Sequence, residues 1–268
     1  MAIISLHSAA SALSALNTSL DVTANNLANV NTPGFRPSRA NFQDLLYIER
    51  MQPGIENTSG DKRPIGLYVG LGVQVTGTQT EFGQPGNPIL TERPLDVMIQ
   101  GNGFFKVASQ SSPGGFAYTR AGHFTRNNEG QVVLADSVGH KLEPEITIPT
   151  EATGITIGAD GTVTYTLSGG TDLAEAGRIT LAGFINPSGL KAIGGNLFEE
   201  TIASGPGIDG TPGTDNFGTI LQNFLEGSTV DPTRELIDLI KTQRAFEMNS
   251  NTIRTADETL RTVAQLKR

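Results

Sequence analysis

The N-terminal end of the chain carries apolar residues at seven-residue intervals, a spacing typical of a coiled-coil helix. A second row follows three residues after each member of the first. The first row is Leu6, Leu13, Leu20 and Leu27, and the second is Ala9, Leu16, Thr23 and Val30. We therefore predict a helix over residues 1–30, which ends where the run Asn-Thr-Pro-Gly indicates a turn.

The C-terminal end repeats the spacing over residues 231–268. Asp231 is a suitable N-cap and Pro232 suits the first helical position, so a second helix should begin there. Its first row is Leu239, Phe246, Ile253 and Leu260, and its second, more polar row is Thr242, Asn249, Ala256 and Val263. Periodicity leaves two arrangements open: the helices can pack on the chain's own core, or pair as an antiparallel or intermolecular coiled coil.

The N-terminal helix is almost uncharged. Residues 1–30 contain one charged side chain, Asp21, and neither Gly nor Pro. A helix that is polar but uncharged around its circumference suits close packing against several neighbours better than exposure to water. This favours a role for the ends of the chain in contacts beyond a single core.

The central part of the chain alternates short apolar runs with Gly-rich turns, which predicts β-strands. Residues 127–130 and 159–161 indicate hairpin turns. The predicted strands cover residues 66–82, 95–107, 116–124, 131–135, 155–157, 162–167 and 179–185. No helical pattern of ten or more residues separates them, which argues against a parallel βαβ sheet. The predicted fold class is α+β: N- and C-terminal α-helices forming a coiled-coil layer, and a central Gly-rich antiparallel β domain.

Residues 36–65 fit neither pattern. Residues 42–50 are compatible with a short helix or a strand, and residues 52–64 are polar and loop-like; so long an irregular segment is either disordered or functional. We therefore predict three parts: residues 1–30 with 228–268 as a helical domain, 31–66 as an extended linking segment, and 67–227 as a β-rich outer domain. Residues 201–218 should form a loop.

Composition narrows the classes of function. The net charge of −8 argues against a nucleic-acid partner, and the absence of Cys excludes disulfides and Cys-based metal sites. No apolar stretch is long enough for a transmembrane helix. The N-terminal residues lack the cationic region of a secretory signal, so we expect a cytoplasmic protein or one exported without cleavage.

The search for catalytic chemistry yields no site. His7, His123 and His140 do not form a metal-binding pair, and neither a nucleophile elbow nor a phosphate-binding loop is present. Glu143 with Glu145 resembles a glycosidase pair only superficially, and solvated charges explain it better. We predict a non-enzymatic protein without cofactor or metal. A binding module or a peptidoglycan hydrolase are the rival classes, but the first does not need paired terminal heptads.

Two short segments stand at opposite ends of the chain. Residues 24–35 read ANNLANVNTPGF, and residues 243–250 read QRAFEMNS. Both resemble the terminal motifs of the flagellar basal-body rod and hook family. Residues 41–54, NFQDLLYIERMQPG, resemble the segment that distinguishes the distal-rod members, whereas residues 95–107 and 118–124 resemble the β core of all members. A proximal rod or hook subunit is the alternative.

The resemblance implies a structural subunit that polymerises into a rigid hollow tube, transmits torque and encloses the export channel. The terminal helices would form the inner layer and residues 31–66 would link subunits. Expected partners are further copies of the chain, other rod and hook proteins, the surrounding ring proteins and the flagellar type III export apparatus. The expected location is the basal body within the periplasm.

The resemblance and the heptads together give the expected assembly residues. Leu27 belongs to the apolar row, Asn25, Asn26 and Asn29 can bond neighbouring backbones, and Gly34 permits the turn. The expected assembly interface is Leu6, Leu13, Leu16, Leu20, Asn25, Asn26, Leu27, Asn29, Gly34, Phe35, Leu239, Gln243, Arg244, Phe246, Asn249, Ile253 and Leu260. The expected inter-subunit linking residues are Phe42, Leu45, Leu46, Tyr47, Gln52, Pro53 and Gly54.

Overall fold

The computed structural model describes residues 2–54, 64–110, 112, 114–167, 173–214 and 216–266. Along the chain, two long helices flank a series of short strands, as predicted. The elements are α1 Ala2–Ala28, β1 Ser38–Asp44, β2 Tyr47–Met51, β3 Leu67–Gly70, β4 Val73–Thr80, β5 Pro88–Leu90, β6 Val97–Gln100, β7 Phe104–Ala108, β8 Phe116–Thr119, β9 Phe124–Arg126, β10 Val132–Leu134, β11 Leu142–Glu143, β12 Ala152–Ile157, β13 Thr162–Leu167, β14 Leu173–Arg178, β15 Leu181–Gly183, a 3₁₀ helix Pro187–Gly189, β16 Lys191–Gly194, β17 Leu197–Glu199, β18 Ile208–Gly210, β19 Thr219–Gln222, β20 Phe224–Glu226 and α2 Pro232–Leu266.

The described residues fall into two compact units. The helical unit comprises residues within 1–28, 38–80 and 231–268, and the β unit comprises 29–37 and 81–230. This division differs from the predicted one, because β3 and β4 belong to the helical unit and not to the β-rich part. The predicted linking segment is also more regular than expected, since it contains β1 and β2; residues 55–63 lie outside the described residues.

In the helical unit, α1 and α2 run antiparallel. Asn26 near the end of α1 donates a hydrogen bond to Glu235 in the first turn of α2, with 3.2 Å between Nδ2 and Oε1. Asp231 caps α2 as predicted, because its Oδ1 accepts hydrogen bonds from the backbone nitrogens of Thr233 and Arg234 at 2.9 and 3.3 Å. Within the described part of the chain, neither helix combines the length and apolarity needed to cross a bilayer.

Two antiparallel ribbons complete the helical unit: β1 pairs with β4, and β2 pairs with β3. The single strand predicted over residues 66–82 is therefore two strands. The break falls at Gly72, whose φ of 118° lies in a region that favours glycine.

The β unit consists of antiparallel pairings throughout its described strands, as predicted. Its largest sheet has the order β16-β17-β8-β7-β15-β18, with β11 also paired to β7. The other described sheets of the unit are a meander β12-β13-β14 and three two-stranded pairs, β9 with β10, β6 with β19 and β5 with β20. Both predicted hairpins are confirmed, since β9 pairs with β10 and β12 with β13. The predicted loop over residues 201–218 contains β18, an edge strand.

The core of the β unit follows from the alternation of side chains between the two faces of each strand. Val97 and Ile99 on β6, and Phe105 and Val107 on β7, all point inward at two-residue spacing and are completely buried. A second cluster combines Phe104, Tyr118, Ala182, Leu190 and Phe198.

Candidate assembly interface

The small side chains of α1 are its buried ones. α1 packs against α2, β1 and β4, and its buried side chains among the described residues are Ala9, Ala15, Thr23 and Asn26. Small side chains let the backbones of neighbouring elements approach closely. The α1 contacts made within one chain therefore use the second heptad row more than the leucine row.

The predicted apolar rows remain only half covered. Within one chain, Leu260 is 39% exposed. The half-buried members are Leu6, Leu13, Leu16, Leu20, Leu27, Leu239, Phe246 and Ile253. Leu236, Ile237, Ile240 and Met248 add exposed apolar surface along α2. An antiparallel pair of helices thus leaves apolar surface that a further helix can cover.

Other predicted interface residues of the helical unit differ in environment. Gln243, Arg244 and Asn25 are exposed. Asn249 is half-buried, and its Nδ2 donates to the carbonyl of Ala245 one turn earlier at 3.0 Å.

Asn26 is engaged within its own chain. Its Nδ2 donates to the Ser38 carbonyl at 2.9 Å as well as to Glu235, and its Oδ1 accepts from the Ser38 backbone nitrogen at 3.0 Å. The residue is buried. Asn26 therefore bonds the backbone at the start of β1 in its own chain, and its contact with another subunit stays a prediction.

The turn after α1 belongs to the β unit and depends on Gly34. Its φ is 73°, and a Cβ there would come within 2.7 Å of the Ala121 backbone nitrogen. Gly34 donates a backbone hydrogen bond to Glu226 at 2.8 Å. Asn29 begins this turn, since both the backbone nitrogen and the hydroxyl of Thr32 bond to it, and Phe35 is half-buried. Gly34 thus serves both the turn and a close backbone approach.

A buried charge cluster follows this turn, and the sequence did not reveal it. Arg36 donates to Glu226, with 2.5 Å between Nη2 and Oε1, and Arg120 Nε lies 3.6 Å from Oε2. The Gly86 backbone nitrogen also donates to Glu226 Oε1 at 2.8 Å. The Glu226 carboxylate thus ties together chain segments 190 residues apart, a separation that leaves no local sequence signal.

The charged groups of this cluster are buried, so removing one of them would leave its partners without a counter-charge. Burial lowers the pKa of Arg120 to about 10, although the Glu226 charge opposes the shift. Burial likewise lowers the pKa of Arg36, again against the Glu226 carboxylate. Because Arg36 directly follows the turn after α1 and Glu226 shortly precedes α2, the cluster fastens both segments that lead to the helices onto the β unit.

The two ribbons expose apolar side chains. Among the predicted linking residues, Leu46 is 82% exposed, and Leu45 is half-buried. The exposed linking residues are Phe42, Leu46, Tyr47, Gln52, Pro53 and Gly54. Ile48, Met51, Leu67 and Tyr68 extend the apolar surface on β2 and β3. Neighbouring exposed apolar side chains are typical of interaction sites.

The ribbons attach to α1 at a glycine. The Val73 backbone nitrogen donates to Ser11 Oγ at 3.3 Å, and His7 Nδ1 lies 3.1 Å from the Leu71 carbonyl oxygen. A Cβ at Gly72 would overlap the Ser11 hydroxyl and approach Ser8 Cα to 3.1 Å. The contact between ribbon and helix therefore requires glycine at this position.

Replacing Gly72 with alanine should loosen the ribbon from α1. The positive φ and the steric overlap together should cost about 2 kcal/mol or more of local stability. Hydrogen–deuterium exchange of the full chain should become faster at the amides of Leu45, Leu71 and Val73. Gly77→Ala is the matched control, because a Cβ there meets nothing within 4 Å. Equal exchange in the two variants would contradict the proposed attachment.

Comparison with known proteins agrees with the resemblance of the sequence motifs. Residues 6–36 match a family described as flagella basal body rod protein. Residues 98–165 match the flagellar hook protein FlgE/F/G D1 domain, and residues 221–266 match the C-terminal part of the flagellar basal body rod FlgEFG proteins. The first and third matches contain the two terminal motifs.

Individual relatives match over almost the whole chain. The chain is 45% identical over 263 residues to the flagellar basal-body rod protein FlgG of Caulobacter vibrioides, covering 98% of both proteins. It is 40% identical over 265 residues to FlgG of Borreliella burgdorferi, again covering 98% of both. Identity to the rod protein FlgF of Caulobacter vibrioides is 33% over 240 residues, or 87% of this chain and 84% of the relative. The predicted family resemblance is confirmed.

Proposed function

The chain belongs to the family of flagellar basal-body rod proteins of the FlgG type, and we propose that it is the structural subunit of the distal rod of a bacterial flagellum. The observation that carries this proposal is the near-complete coverage of FlgG relatives, at higher identity than the FlgF relative of the same bacterium. The relatives are named as rod proteins, which places the chain in the basal body as a structural component.

The polymer that we propose is a rigid hollow tube. The half-covered apolar rows of α1 and α2 support it, because each antiparallel pair leaves surface for helices of adjacent subunits. The nearly uncharged α1 supports it further, since it suits an environment made of neighbouring helices. In this arrangement the helical units form the coiled-coil inner layer around the export channel, and the β units lie outside.

The ribbons would act as links between subunits. Phe42, Leu46 and Tyr47 are exposed in one chain, so contact with an adjacent subunit would remove their apolar surface from water. Such links outside the inner helices would resist bending, as a drive shaft requires. This role favours the distal rod over the hook, which has to bend.

The remaining partners follow from this assignment. We propose that the subunit is exported through the flagellar type III export apparatus and assembles in the periplasm. There it would meet other rod and hook proteins at the ends of the tube, and the ring proteins around it.

Electron microscopy of assembled material tests the proposed function. We expect the purified full chain to form straight hollow tubes, and expect deletion of its gene to leave basal bodies that lack the distal rod and hook. Curved tubes would assign the chain to the hook instead. Basal bodies with an intact distal rod after deletion would contradict the proposal.

Shortening the ribbon tests its mechanical role. Leu71 donates a backbone hydrogen bond to Leu46 at 3.1 Å, so a short turn between these two residues can end the ribbon there. Replacing residues 47–70 with Asn-Gly should keep this hydrogen bond, because the dipeptide favours a tight hairpin turn. We expect tubes to form but to bend more, measured as a several-fold shorter persistence length on micrographs. Unchanged stiffness would contradict the linking role and leave the rod assignment standing.

A further inference from the structure

A cavity of about 710 Å³ lies in the β unit, and its described lining residues all belong to that unit. Its walls are largely aromatic, because Phe82, Phe104, Phe184 and Phe217 line it. The rings of Phe104 and Phe184 pack edge to face with their centres 5.7 Å apart, and those of Phe82 and Phe104 do so at 5.3 Å. These rings are held by one another, so this part of the wall is preformed, as in sites that bind small molecules.

The cavity is open to small molecules from the solvent. Ile185 and Ile208 both line it, and they are 84% and 54% exposed. Asn102, Ser188 and Asn216 add polar groups without a charge. The volume falls in the range of cavities that enclose drug-sized molecules. An apolar occupant would remove the surfaces of the phenylalanine rings from water.

Arg120 is the one charged side chain among the described residues that line the cavity. The residue is only 4% exposed, and its guanidinium carbon lies 5.6 Å from the centre of the Phe104 ring. The guanidinium thus lies against the aromatic wall, in surroundings that water barely reaches. An anion beside it would be attracted more strongly than at the protein surface.

The charge of Arg120 is incompletely balanced within the chain. Two guanidiniums, those of Arg36 and Arg120, face the single carboxylate of Glu226, and Arg36 donates the hydrogen bond to it. Arg120 Nε lies 3.6 Å from Glu226 Oε2, which is too far for a hydrogen bond. Arg120 Nη2 donates to the Gly101 carbonyl at 2.7 Å, whereas Nε and Nη1 have no hydrogen-bond partner in the described part of the chain. One positive charge is therefore in excess, next to the cavity.

We propose that this cavity binds a small aromatic carboxylate, with its rings among the phenylalanines and its carboxylate beside Arg120. An aromatic body is favoured over an aliphatic one, because it can continue the edge-to-face packing of the wall. A single carboxylate is favoured over a phosphate dianion, because it matches the single excess positive charge. The inference goes beyond the proposed function, since the site lies within one β unit and requires no second copy of the chain.

Two probes of the same shape test whether the site requires a negative charge. Naphthoate and naphthamide, substituted at the same ring position, differ in charge and hardly in size, and the chain has no Trp to mask the naphthalene fluorescence. Titrated against the monomer of the full chain, naphthoate should bind about tenfold more tightly than naphthamide. Equal affinities, or no binding of naphthoate at millimolar concentration, would overturn the inference. A failure to form tubes would count against the proposed function and would leave this result unaffected.

Three variants test whether the probes bind in this cavity. Gly83 lines it, and a Cβ there meets nothing within 4 Å, so Gly83→Leu should fill the cavity and abolish binding of both probes, with unchanged melting of the monomer. Asn102 also lines the cavity and is exposed, so Asn102→Asp should weaken naphthoate about tenfold and leave naphthamide unchanged. Asn128→Asp, which adds the same charge on an exposed turn of the β unit, is the matched control and should change neither affinity. Unchanged naphthoate binding in Gly83→Leu, or an equal effect of Asn102→Asp and Asn128→Asp, would overturn the inference.

Discussion

Replacing Glu226 with leucine should lower the free energy of unfolding of the β unit by about 3–5 kcal/mol. The carboxylate is completely buried and holds Arg36, Arg120 and the Gly86 backbone nitrogen. Leucine would leave two buried guanidiniums without a counter-charge. Denaturant unfolding of the full chain, followed by circular dichroism of the β signal, measures the loss.

Two further variants separate the charge effect from a simple change of shape. Glu199→Gln breaks an ion pair with Lys191, whose side chain is 67% exposed, and should change stability by less than about 1 kcal/mol. Adding Arg36→Met and Arg120→Met to Glu226→Leu should recover much of the lost stability, because apolar groups of similar volume replace the whole cluster. A Glu226→Leu variant as stable as Glu199→Gln would show that the cluster does not hold the segments at Arg36 and Glu226 in place.

The elements that the sequence predicts well are those encoded by local spacing. The seven-residue rows and the Asp231–Pro232 start placed both helices within two residues of their observed bounds. Glycines at the turns revealed the hairpins of β9 with β10 and of β12 with β13, because Gly130 and Gly161 adopt φ values of 83° and 82°. In each case the information lies within a few adjacent residues.

The sequence left β1 and β2 undecided, because these ribbon strands do not bury an apolar face in one chain. A strand is recognised when alternate residues face a core, and every residue of β2 is exposed. The pairing of β1 with β4 joins residues whose partners lie far along the chain, and the bulge between Asn41 and Phe42 disturbs the alternation further. The charge cluster around Glu226 was not predicted either, because no local feature of the sequence distinguishes a buried Arg36 from a solvated one.

The heptad rows contain more apolar surface than one chain uses. If the rows served only to pair α1 with α2, the leucine row of α1 should be buried. Its four leucines are only half-buried, whereas Ala9 and Thr23 of the second row are buried. The pattern in the sequence is therefore better explained by a bundle with more helices than two. This supports the proposal that the helical units meet in a polymer.

Leu20→Asp should abolish assembly of the tube. In a single chain the leucine is half-buried, so the aspartate side chain can still reach water. In a coiled-coil layer of several subunits the same charge would be enclosed by apolar neighbours, where an unpaired carboxylate costs several kcal/mol. Repetition in every subunit multiplies this cost along the polymer. We expect no tubes by electron microscopy and no motility.

Leu20→Met is the matched control, because methionine keeps the volume and the apolar character of the position. It should assemble like the unmodified chain. Thermal unfolding of the monomer decides between the two explanations of the leucine row: in the assembly explanation, Leu20→Asp changes the melting temperature little while tubes disappear. A large fall in the melting temperature of the Leu20→Asp monomer would instead assign the row to the chain's own core, because a charge can disturb only packing that already exists before assembly.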